Sequence, residues 1–340
     1  MKVARLYSFT DIRIEEMPIP VPGPGEALMR TAASGICSGD VMPWYIERKA
    51  PLVLGHEPAG EIVEVGQGVR AFKPGDRVAA HHHAPCGVCR HCMRGSAVQC
   101  PTWRESRIIP GGMAEYILIP AINLSNDTLR LPEGVSFEDG TLVEPLGCVM
   151  KSIKRSGFVA WDTALVIGLG VMGMLHVLAF KALGAGRIIG ADMVRYRLDK
   201  ALSLGATDVI DASVGPLPEA LRELTAGDMA DVVIVGPGSS RALKEGLSSA
   251  APGGVVVMFT PLAPGEGLSL EPNELYFRDV SLITSYSTGP AETRAALGLI
   301  ERGAVRSGMV VTHRFALERT AEAYRLTAEA RDSLKCLVIF

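Results

Sequence analysis

The stretch from Leu165 to Gly173 limits the fold more than any other part of the chain. A short apolar run leads into three glycines, at 168, 170 and 173, in the order G-x-G-x-x-G, and a helical pattern follows. Such glycines permit a tight turn, close approach of the backbone to a phosphate, and close packing of helix on strand. The free N–H groups at the helix start attract anions. The stretch therefore predicts a strand, a phosphate-binding loop and a helix.

A second apolar run, residues 187–191, ends at Asp192, which follows Gly173 by 19 positions. A carboxylate at this place binds the ribose hydroxyls of a dinucleotide. The two runs together predict a βαβ unit. A membrane span is the alternative for residues 164–180, but the phosphate-loop spacing, His176 inside the run and the lack of flanking anchors argue against it.

The bulk properties are those of a soluble globular protein. The chain has 340 residues, enough for two domains, with 48% hydrophobic and 21% charged residues. A formal charge of -3 argues against a nucleic-acid partner, which needs a basic face. Residues 1–17 have no apolar core of a signal peptide. We expect a cytoplasmic protein with neither a membrane nor a nucleic-acid partner.

The chain changes character along its length. Residues 1 to about 147 contain short β segments broken by Gly and Pro, which predicts a compact barrel. Strands then alternate with amphipathic helices to about residue 287, which predicts a doubly wound parallel sheet. We place these strands at 164–168, 187–191, 207–210, 231–235, 254–260 and 280–285, and the helices at 172–184, 194–204, 217–225, 239–249 and 270–276.

The tail has too few elements to form its own domain. It carries helices near 290–302 and 318–329 and a closing strand at 337–340. We therefore expect it to pack on an earlier part of the chain.

Four of the seven cysteines are clustered, namely Cys86, Cys89, Cys92 and Cys100. An odd cysteine count without an export signal favours reduced thiols over disulfides. The spacing x2, x2 and x7 suits a tetrahedral zinc ion enclosed by thiolates. Bacterial ferredoxins, the iron–sulfur alternative, have x3 before the last cysteine. The cluster therefore predicts a closed, structural zinc site.

A second, dispersed set could form an open zinc site. Cys37, His56 and Glu144 offer three mixed ligands and leave one position exchangeable, with Glu57 as a reserve ligand or as a partner of a ligand. A zinc ion held this way polarises a bound alcohol, which can then release hydride to a nicotinamide. Cys148 is a weaker alternative to Glu144 as ligand.

The run His81-His82-His83 is unusual but does not by itself indicate a metal site. Adjacent residues of a strand face opposite sides, so three neighbouring imidazoles do not converge on one ion. We interpret the run as solvated or barrel-lining and give it no role.

Taken together, these features resemble the zinc-dependent medium-chain dehydrogenases, the alcohol and polyol dehydrogenase family, over essentially the whole chain. The resemblance implies an α/β protein with a GroES-like β-barrel catalytic domain, residues 1–147 with 288–340, and a Rossmann NAD-binding domain, residues 148–287. The motifs that carry it stand in family order: C-S-G-D at 37–40, G-H-E at 55–57, the four-cysteine lobe at 86–100, G-G-M-A-E-Y at 111–116, E-P-L at 144–146, G-L-G-V-M-G at 168–173 and Asp192.

The resemblance also implies roles for the dispersed set. Cys37 and His56 are expected as catalytic zinc ligands, Asp40 as the group that orients the His56 ring, and Glu144 or Glu57 as the completing ligand, directly or through water. Each chain would hold two zinc ions, one catalytic and one structural, and one NAD. A small alcohol would bind where the two domains meet. Similar proteins are homodimers or homotetramers that pair through the strand near 280–287.

The cofactor contacts follow from the same resemblance. Asp192 is expected to accept the ribose hydroxyls of NAD, and Arg197 to lie near the adenine. Arg195 and Arg197 could instead bind the extra phosphate of NADP. We also predict contacts from other loop residues and later strand ends: Gly168, Gly170, Val171, Met172, Gly173, Thr260, Thr284 and Ser285.

Two departures from the family concern the substrate. Family members usually carry Ser or Thr at the position of Gly39, where the hydroxyl passes on the substrate proton; Ser38 or water would have to replace it. Polyol dehydrogenases tend to carry an Arg in the strand at Ile283-Thr284-Ser285, and its absence disfavours a polyhydroxylated substrate.

We predict an NAD-dependent zinc dehydrogenase that oxidises a secondary alcohol, a polyol, sugar or amino alcohol, to a ketone. The alternatives are an NADP-dependent alcohol dehydrogenase or ketone reductase of the same fold, and a nucleotide-binding protein with vestigial catalysis.

Overall fold

Frequent Gly and Pro turns divide the first part of the chain into short antiparallel strands. The structure, a computed structural model, describes all of residues 1–340. The strands of this part are β1 (Lys2–Ser8), β2 (Asp11–Glu16), β3 (Ala27–Gly35), β4 (Leu52–Val53), β5 (Glu57–Val65), β6 (Arg77–Ala80), β7 (Tyr116–Ile119) and β8 (Thr128–Arg130). The helices are α1 (Pro43–Ile46), α2 (Arg90–Met93), α3 (Pro101–Glu105), α4 (Ala121–Asp127), α5 (Phe137–Gly140) and α6 (Val143–Ser156).

The chain divides into two compact units. One comprises Met1–Gly147 and Thr288–Phe340, and the other comprises Cys148–Ser287.

In the second unit, six strands form one parallel sheet in the order β11-β10-β9-β12-β13-β14. They are β9 (Thr163–Ile167), β10 (Arg187–Asp192), β11 (Asp208–Asp211), β12 (Ala230–Val235), β13 (Ala250–Met258) and β14 (Ser281–Thr284). Between them lie α7 (Val171–Leu183), α8 (Arg195–Leu204), α9 (Leu217–Leu224), α10 (Ser240–Ser249) and α11 (Pro272–Phe277). The predicted doubly wound sheet is confirmed.

The strand order places a change of winding direction at β9. Leu165 on β9 pairs with Ile189 on β10 and with Val233 on β12. Strands β10 and β11 therefore extend the sheet on one side of β9, and β12 to β14 extend it on the other. Leu165, Ile189 and Val233 are fully buried in an apolar core. In open α/β sheets, ligands bind beyond the carboxyl ends of strands at such a point. The glycine loop after β9 is at this place.

The tail belongs to the first unit. It contains α12 (Pro290–Glu301), α13 (Ser307–Val310), β15 (Val311–Ala316), α14 (Thr320–Glu329) and β16 (Lys335–Ile339). Strand β16 pairs antiparallel with β3, and the sheet runs β15-β16-β3-β5-β6-β8 with β7 also on β3. Strand β15 was not predicted, because its sequence V-T-H-R-F-A is polar and mostly not buried.

Apolar side chains from β1, β3, β5 and β6 fill one core of the first unit, including Val3, Met29, Ile62 and Val78. A second cluster joins the tail to the N-terminal segments through Leu6, Ile36, Phe315, Tyr324 and Val338. Burial of this apolar surface holds the tail in place.

The predicted bounds of one strand need correction. Strand β13 begins four residues before the predicted start and ends at Met258, so Thr260 lies in a bend beyond it. As predicted, residues 164–180 divide into a strand, β9, and a helix, α7, with the glycine loop between them. No helix is both long enough and apolar enough to cross a membrane.

Candidate active site and metal centres

The four clustered cysteines converge in a single lobe of the first unit. Their sulfur atoms all lie within 4.8 Å of one another. The Cys89–Cys92 and Cys86–Cys100 sulfur pairs are each 3.6 Å apart. A tetrahedral zinc ion with Zn–S bonds of about 2.3 Å requires sulfur atoms about 3.8 Å apart. The residues therefore fit a closed zinc site.

Backbone donors surround this lobe. The N–H of Cys89 lies 3.4 Å from Sγ of Cys86, and the N–H of Cys86 lies 3.4 Å from Sγ of Cys100. Such N–H groups stabilise thiolates, the form that binds metal. Apart from the cysteines, the lobe's buried apolar cluster has only Val98 and Trp103, so a bound ion would supply much of its stability.

A second cluster contains Cys37, His56 and Glu57, whose ligand atoms also lie within 4.8 Å of one another. Cys37 accepts a hydrogen bond at the start of a 3-10 turn, Ser38–Val41. Glu57 begins β5, and His56 directly precedes it. Oδ2 of the buried Asp40, in that turn, is 3.1 Å from Nδ1 of His56. This contact fixes the imidazole ring and leaves Nε2 free for a metal ion.

Asp40 and Cys37 are the groups next to His56 that favour its charged form. Burial lowers the pKa of His56, but Asp40 and Cys37 outweigh burial and raise it well above its usual range. Burial raises the pKa of Asp40, but His56 outweighs burial and lowers it. The cluster therefore favours a positive charge at its centre, as a cation site does.

Glu57 is held by a lysine that sequence reasoning missed. Nζ of Lys335 forms a buried ion pair with Oε2 of Glu57 and donates to the carbonyl of Ile36 at 2.9 Å. Burial still raises the pKa of Glu57, although Lys335 lowers it. The other carboxylate oxygen, Oε1, is buried without a partner. A buried oxygen in this state, beside a thiol and an imidazole, fits a site for a metal ion.

Glu144 lies near this cluster but outside the group of ligand atoms within 4.8 Å. It is half-buried in the first turn of α6, and its charge contributes to the raised pKa of Glu57. Both carboxylates line a cavity of about 10 Å³ together with His81 and Asp127. That volume suits one water molecule. Ligation by Glu144, directly or through water, stays a prediction.

Ser38 and Gly39 follow the candidate ligand Cys37, and the structure has room for a side chain at Gly39. Ser38 is exposed and its hydroxyl makes no hydrogen bond within the chain. A Cβ placed on Gly39 would have Cys37 Sγ at 3.4 Å and Met42 Cε at 3.9 Å as its nearest neighbours, which are ordinary contacts. A relay through Ser38 stays a prediction.

The histidine run has a different environment at each position. Nδ1 of His81 pairs with Asp127 at 2.6 Å, and Nδ1 of His83 pairs with the carbonyl of Ser106 at 2.7 Å. The ring of His82 lies 6.4 Å from the ring of His56, centre to centre. Sequence reasoning missed this proximity, because no spacing rule links the two positions.

The glycine loop has the geometry that its sequence predicts. Gly168, at φ +85°, follows β9, and its N–H donates to the carbonyl of Ala191. A Cβ on Gly173 would lie 2.1 Å from the Gly168 carbonyl oxygen, whereas a Cβ on Gly170 would meet nothing within 4 Å. Val171 and Met172 form the first turn of α7. The backbone is therefore open at Gly170, where a pyrophosphate could approach.

Asp192 closes β10 beside this loop and is 8% exposed. Its Oδ2 accepts a hydrogen bond from the Leu169 N–H at 2.7 Å, and its Oδ1 accepts from the N–H groups of Met193 and Val194. Nη1 of Arg197 is 3.5 Å from Oδ2. The carboxylate is therefore fixed against the glycine loop.

The remaining predicted cofactor residues lie at the carboxyl ends of β13 and β14. Thr260 is two residues beyond β13, Thr284 ends β14 with an exposed side chain, and Ser285 follows. Oγ of Ser285 is buried without a partner. All three are on the ligand-binding edge of the parallel sheet, but their contacts to a cofactor stay predictions.

Known proteins resemble the chain in both units. Residues 23–132 match the family described as alcohol dehydrogenase GroES-like domain, and residues 171–302 match the family described as zinc-binding dehydrogenase. The chain is 33% identical to YphC of Escherichia coli (strain K12), an uncharacterized zinc-type alcohol dehydrogenase-like protein, over 97% of this chain and 96% of YphC. It is 32% identical to L-threonine 3-dehydrogenase of Bacillus licheniformis, over 92% and 91% of the two chains.

A solved structure is similar over the whole length. The crystal structure of a protein described as a putative zinc-binding dehydrogenase of Sinorhizobium meliloti 1021, bound to NADP, superposes with a TM-score of 0.89 at 30% identity, covering 100% of this chain and 99% of that one.

Proposed function

The chain belongs to the zinc-dependent medium-chain alcohol and polyol dehydrogenase family, and on that premise we propose that it oxidises a secondary alcohol to a ketone with NAD. The observation that carries this proposal is the cluster of Cys37, His56 and Glu57 backed by the buried Asp40. Such a mixed set of sulfur, nitrogen and oxygen donors is that of an open, catalytic zinc site, whereas the four-cysteine lobe is that of a closed one.

Each residue of the cluster has a separate task in this proposal. When bound, zinc supplies a Lewis acid at the alcohol oxygen and NAD supplies the hydride acceptor. Asp40 holds the His56 ring in one orientation through Nδ1. Lys335 holds Glu57 through one carboxylate oxygen and leaves the other facing no partner. Because Gly39 offers no hydroxyl, the substrate proton leaves through Ser38 or through water.

Asp192 supports NAD as the cofactor. Each of its oxygens accepts hydrogen bonds from backbone N–H groups, and a carboxylate oxygen has capacity for a further O–H donor. Ribose hydroxyls would supply such donors, whereas the 2′-phosphate of NADP would meet a fixed negative charge. Arg197 at 3.5 Å offsets part of that charge without removing it.

NADP is the second candidate, and one neighbour favours it. The similar zinc-binding dehydrogenase of Sinorhizobium meliloti was solved with NADP. In this chain, Arg195 is largely exposed at the start of α8 and pairs with Asp199 at the surface. Its guanidinium could turn to a phosphate, because an exposed pair of this kind is weak.

Steady-state rates with both cofactors test the proposal. We expect kcat/KM with NAD to exceed that with NADP by about tenfold or more, the size of one lost charged contact. Asp192→Asn keeps an acceptor for the N–H of Leu169 but removes the negative charge. It should therefore lower the ratio of kcat/KM with NAD to kcat/KM with NADP. Asp231→Asn is the matched control and should leave that ratio unchanged, because Asp231 also accepts a backbone N–H but lies at the start of β12. A wild type that uses NADP as well as or better than NAD would contradict the NAD assignment.

We also propose a homodimer or homotetramer. Strand β14 pairs with β13 alone and so ends the parallel sheet, and Tyr276 and Phe277 just before it are 79% and 78% exposed. Open strand edges and exposed aromatic groups favour pairing with another chain. Light scattering would give the assembly's mass. A cytoplasmic location stays a prediction.

A further inference from the structure

His82 differs from the other two histidines of its run, because its ring makes no hydrogen bond while theirs do. It also lies next to the proposed catalytic cluster. The ring centres of His82 and His56 are 6.4 Å apart, and the ring planes are tilted by 57°. Both residues keep part of their surface accessible. A small molecule held at His56 is therefore within reach of His82.

A hydrogen bond and a ring contact hold His82 in place. Nδ2 of the fully buried Asn123 donates to the carbonyl oxygen of His82 at 2.9 Å and to that of His81 at 3.2 Å. The His82 ring packs edge-on against His83 at 4.5 Å, and His83 in turn packs on Trp103 at 4.2 Å. The backbone of His82 is therefore held by a hydrogen bond and its ring by a neighbouring ring, so the side chain is pre-organised for contact with a ligand.

The two nitrogens of His82 have different surroundings. Nδ1 is buried and has no partner, whereas Nε2 is accessible and also has none. A proton on Nδ1 would leave a buried N–H donor unsatisfied, which is costly and rare. The neutral ring therefore carries its proton on Nε2, and a charged ring carries one there as well. In either state His82 presents an N–H donor from its accessible edge.

We propose that the Nε2–H of His82 donates a hydrogen bond to a substrate oxygen on the carbon next to the reacting alcohol. The chain would then select vicinal diols and related alcohols over simple secondary alcohols. This inference rests on the proposed dehydrogenase function and deepens it.

Two alcohols that differ only in the second hydroxyl test the inference. Propane-1,2-diol and propan-2-ol share a carbon skeleton and a secondary alcohol. We expect the wild type to favour the diol, and His82→Phe to reduce the ratio of the two kcat/KM values by about tenfold or more, as loss of one hydrogen bond to a bound polar group does. His82→Gln, which keeps an N–H donor, should retain part of the preference. His313→Phe, the same substitution in β15, is the control and should leave the ratio unchanged.

A binding measurement separates this inference from the proposed function. Propane-1,2-diol and propan-2-ol are titrated into the zinc-loaded enzyme with NADH, which cannot accept hydride from them, while the cofactor's fluorescence is followed. The diol should bind more tightly to the wild type than propan-2-ol, and the difference should shrink in His82→Phe. An unchanged preference in His82→Phe, in rates or in binding, overturns the role of His82. If no alcohol is oxidised with either cofactor, the proposed function fails, but the binding difference still supports or refutes His82.

Discussion

At Gly39 the chain lacks a hydroxyl that its surroundings would accommodate. A Cβ there meets no atom closer than 3.4 Å, and Gly39 does not have the left-handed backbone that requires glycine. Gly39→Ser should therefore fold normally and place a proton-carrying group between Cys37 and Asp40. If proton removal limits turnover, kcat should rise by about tenfold, within the range of general acid–base effects. Gly39→Ala is the control, since it adds the carbon without the hydroxyl.

The pH profile makes this test specific. Gly39→Ser should lessen the dependence of kcat on pH, whereas Gly39→Ala should not. Equal rates and equal profiles in the two variants would show that the proton already leaves by an efficient route, through Ser38 or water.

Individual residues mark the limit of sequence-based prediction. The clustered cysteines were predictable as a zinc-binding group, because they are close in sequence and their thiolates are soft ligands that suit zinc. They are Cys86, Cys89, Cys92 and Cys100. Lys335 was not predictable, because it lies just before the predicted closing strand as a single charged residue, 278 positions from Glu57. Its role depends on the pairing of β16 with β3, and such long-range pairing leaves no local signal.

At the scale of elements, the glycines of the dinucleotide loop separate folding from ligand binding. A methyl group at Gly173 would overlap the Gly168 carbonyl at 2.1 Å, so Gly173→Ala must shift α7 against β9. We expect a loss of about 1–3 kcal/mol in the free energy of unfolding, as overpacking costs. Gly170→Ala meets nothing within 4 Å in the protein and should keep its stability.

The same two variants should differ in cofactor binding. Because Gly170 is open where the backbone approaches a pyrophosphate, Gly170→Ala should weaken NADH binding by about tenfold or more at normal stability. Thermal melts and NADH fluorescence on both proteins give the two quantities separately. Unimpaired NADH binding by Gly170→Ala would mean that the phosphate lies elsewhere.

Periodicity explains which elements were predictable. The strands β9 to β12 and helices α7 to α10 agree with the sequence to within about two residues, because continuous apolar runs alternate with amphipathic ones. Strand β15 was missed, because only one of its six residues is buried and it therefore has no alternating pattern. Its place is fixed by parallel pairing with β16, which a local pattern does not contain.

At the scale of the whole molecule, the fold class followed from the sequence, because a β-rich half and an alternating half have different periodicities. The site followed less completely. The motifs predicted Cys37, His56 and a carboxylate, but only the three-dimensional structure shows that Glu57 and not Glu144 belongs to the closest group. Adjacent residues of a regular strand face opposite sides, but His56 lies in a bend directly before β5, so it can share one group with Glu57.

The two proposed metal centres should respond differently to chelation. Four thiolates would enclose one ion, and binding there would contribute to folding, whereas the other set includes a histidine and a carboxylate and would leave a position open. A mild chelator should therefore remove the ion at Cys37 and His56 first, because oxygen ligands are exchanged more readily than thiolates. Activity should be lost while the melting temperature and NADH binding persist.

Two variants assign each ion to its site. Cys89→Ala should lower the melting temperature and the zinc content by about one ion per chain, because a closed site loses one of its four ligands. His56→Ala should abolish turnover in a folded protein that still binds NADH, since the glycine loop belongs to the other unit. Metal analysis, thermal melts and NADH fluorescence measure these outcomes on the same samples. A fully active His56→Ala, or a Cys89→Ala that retains all its zinc, is incompatible with two separate sites of these kinds.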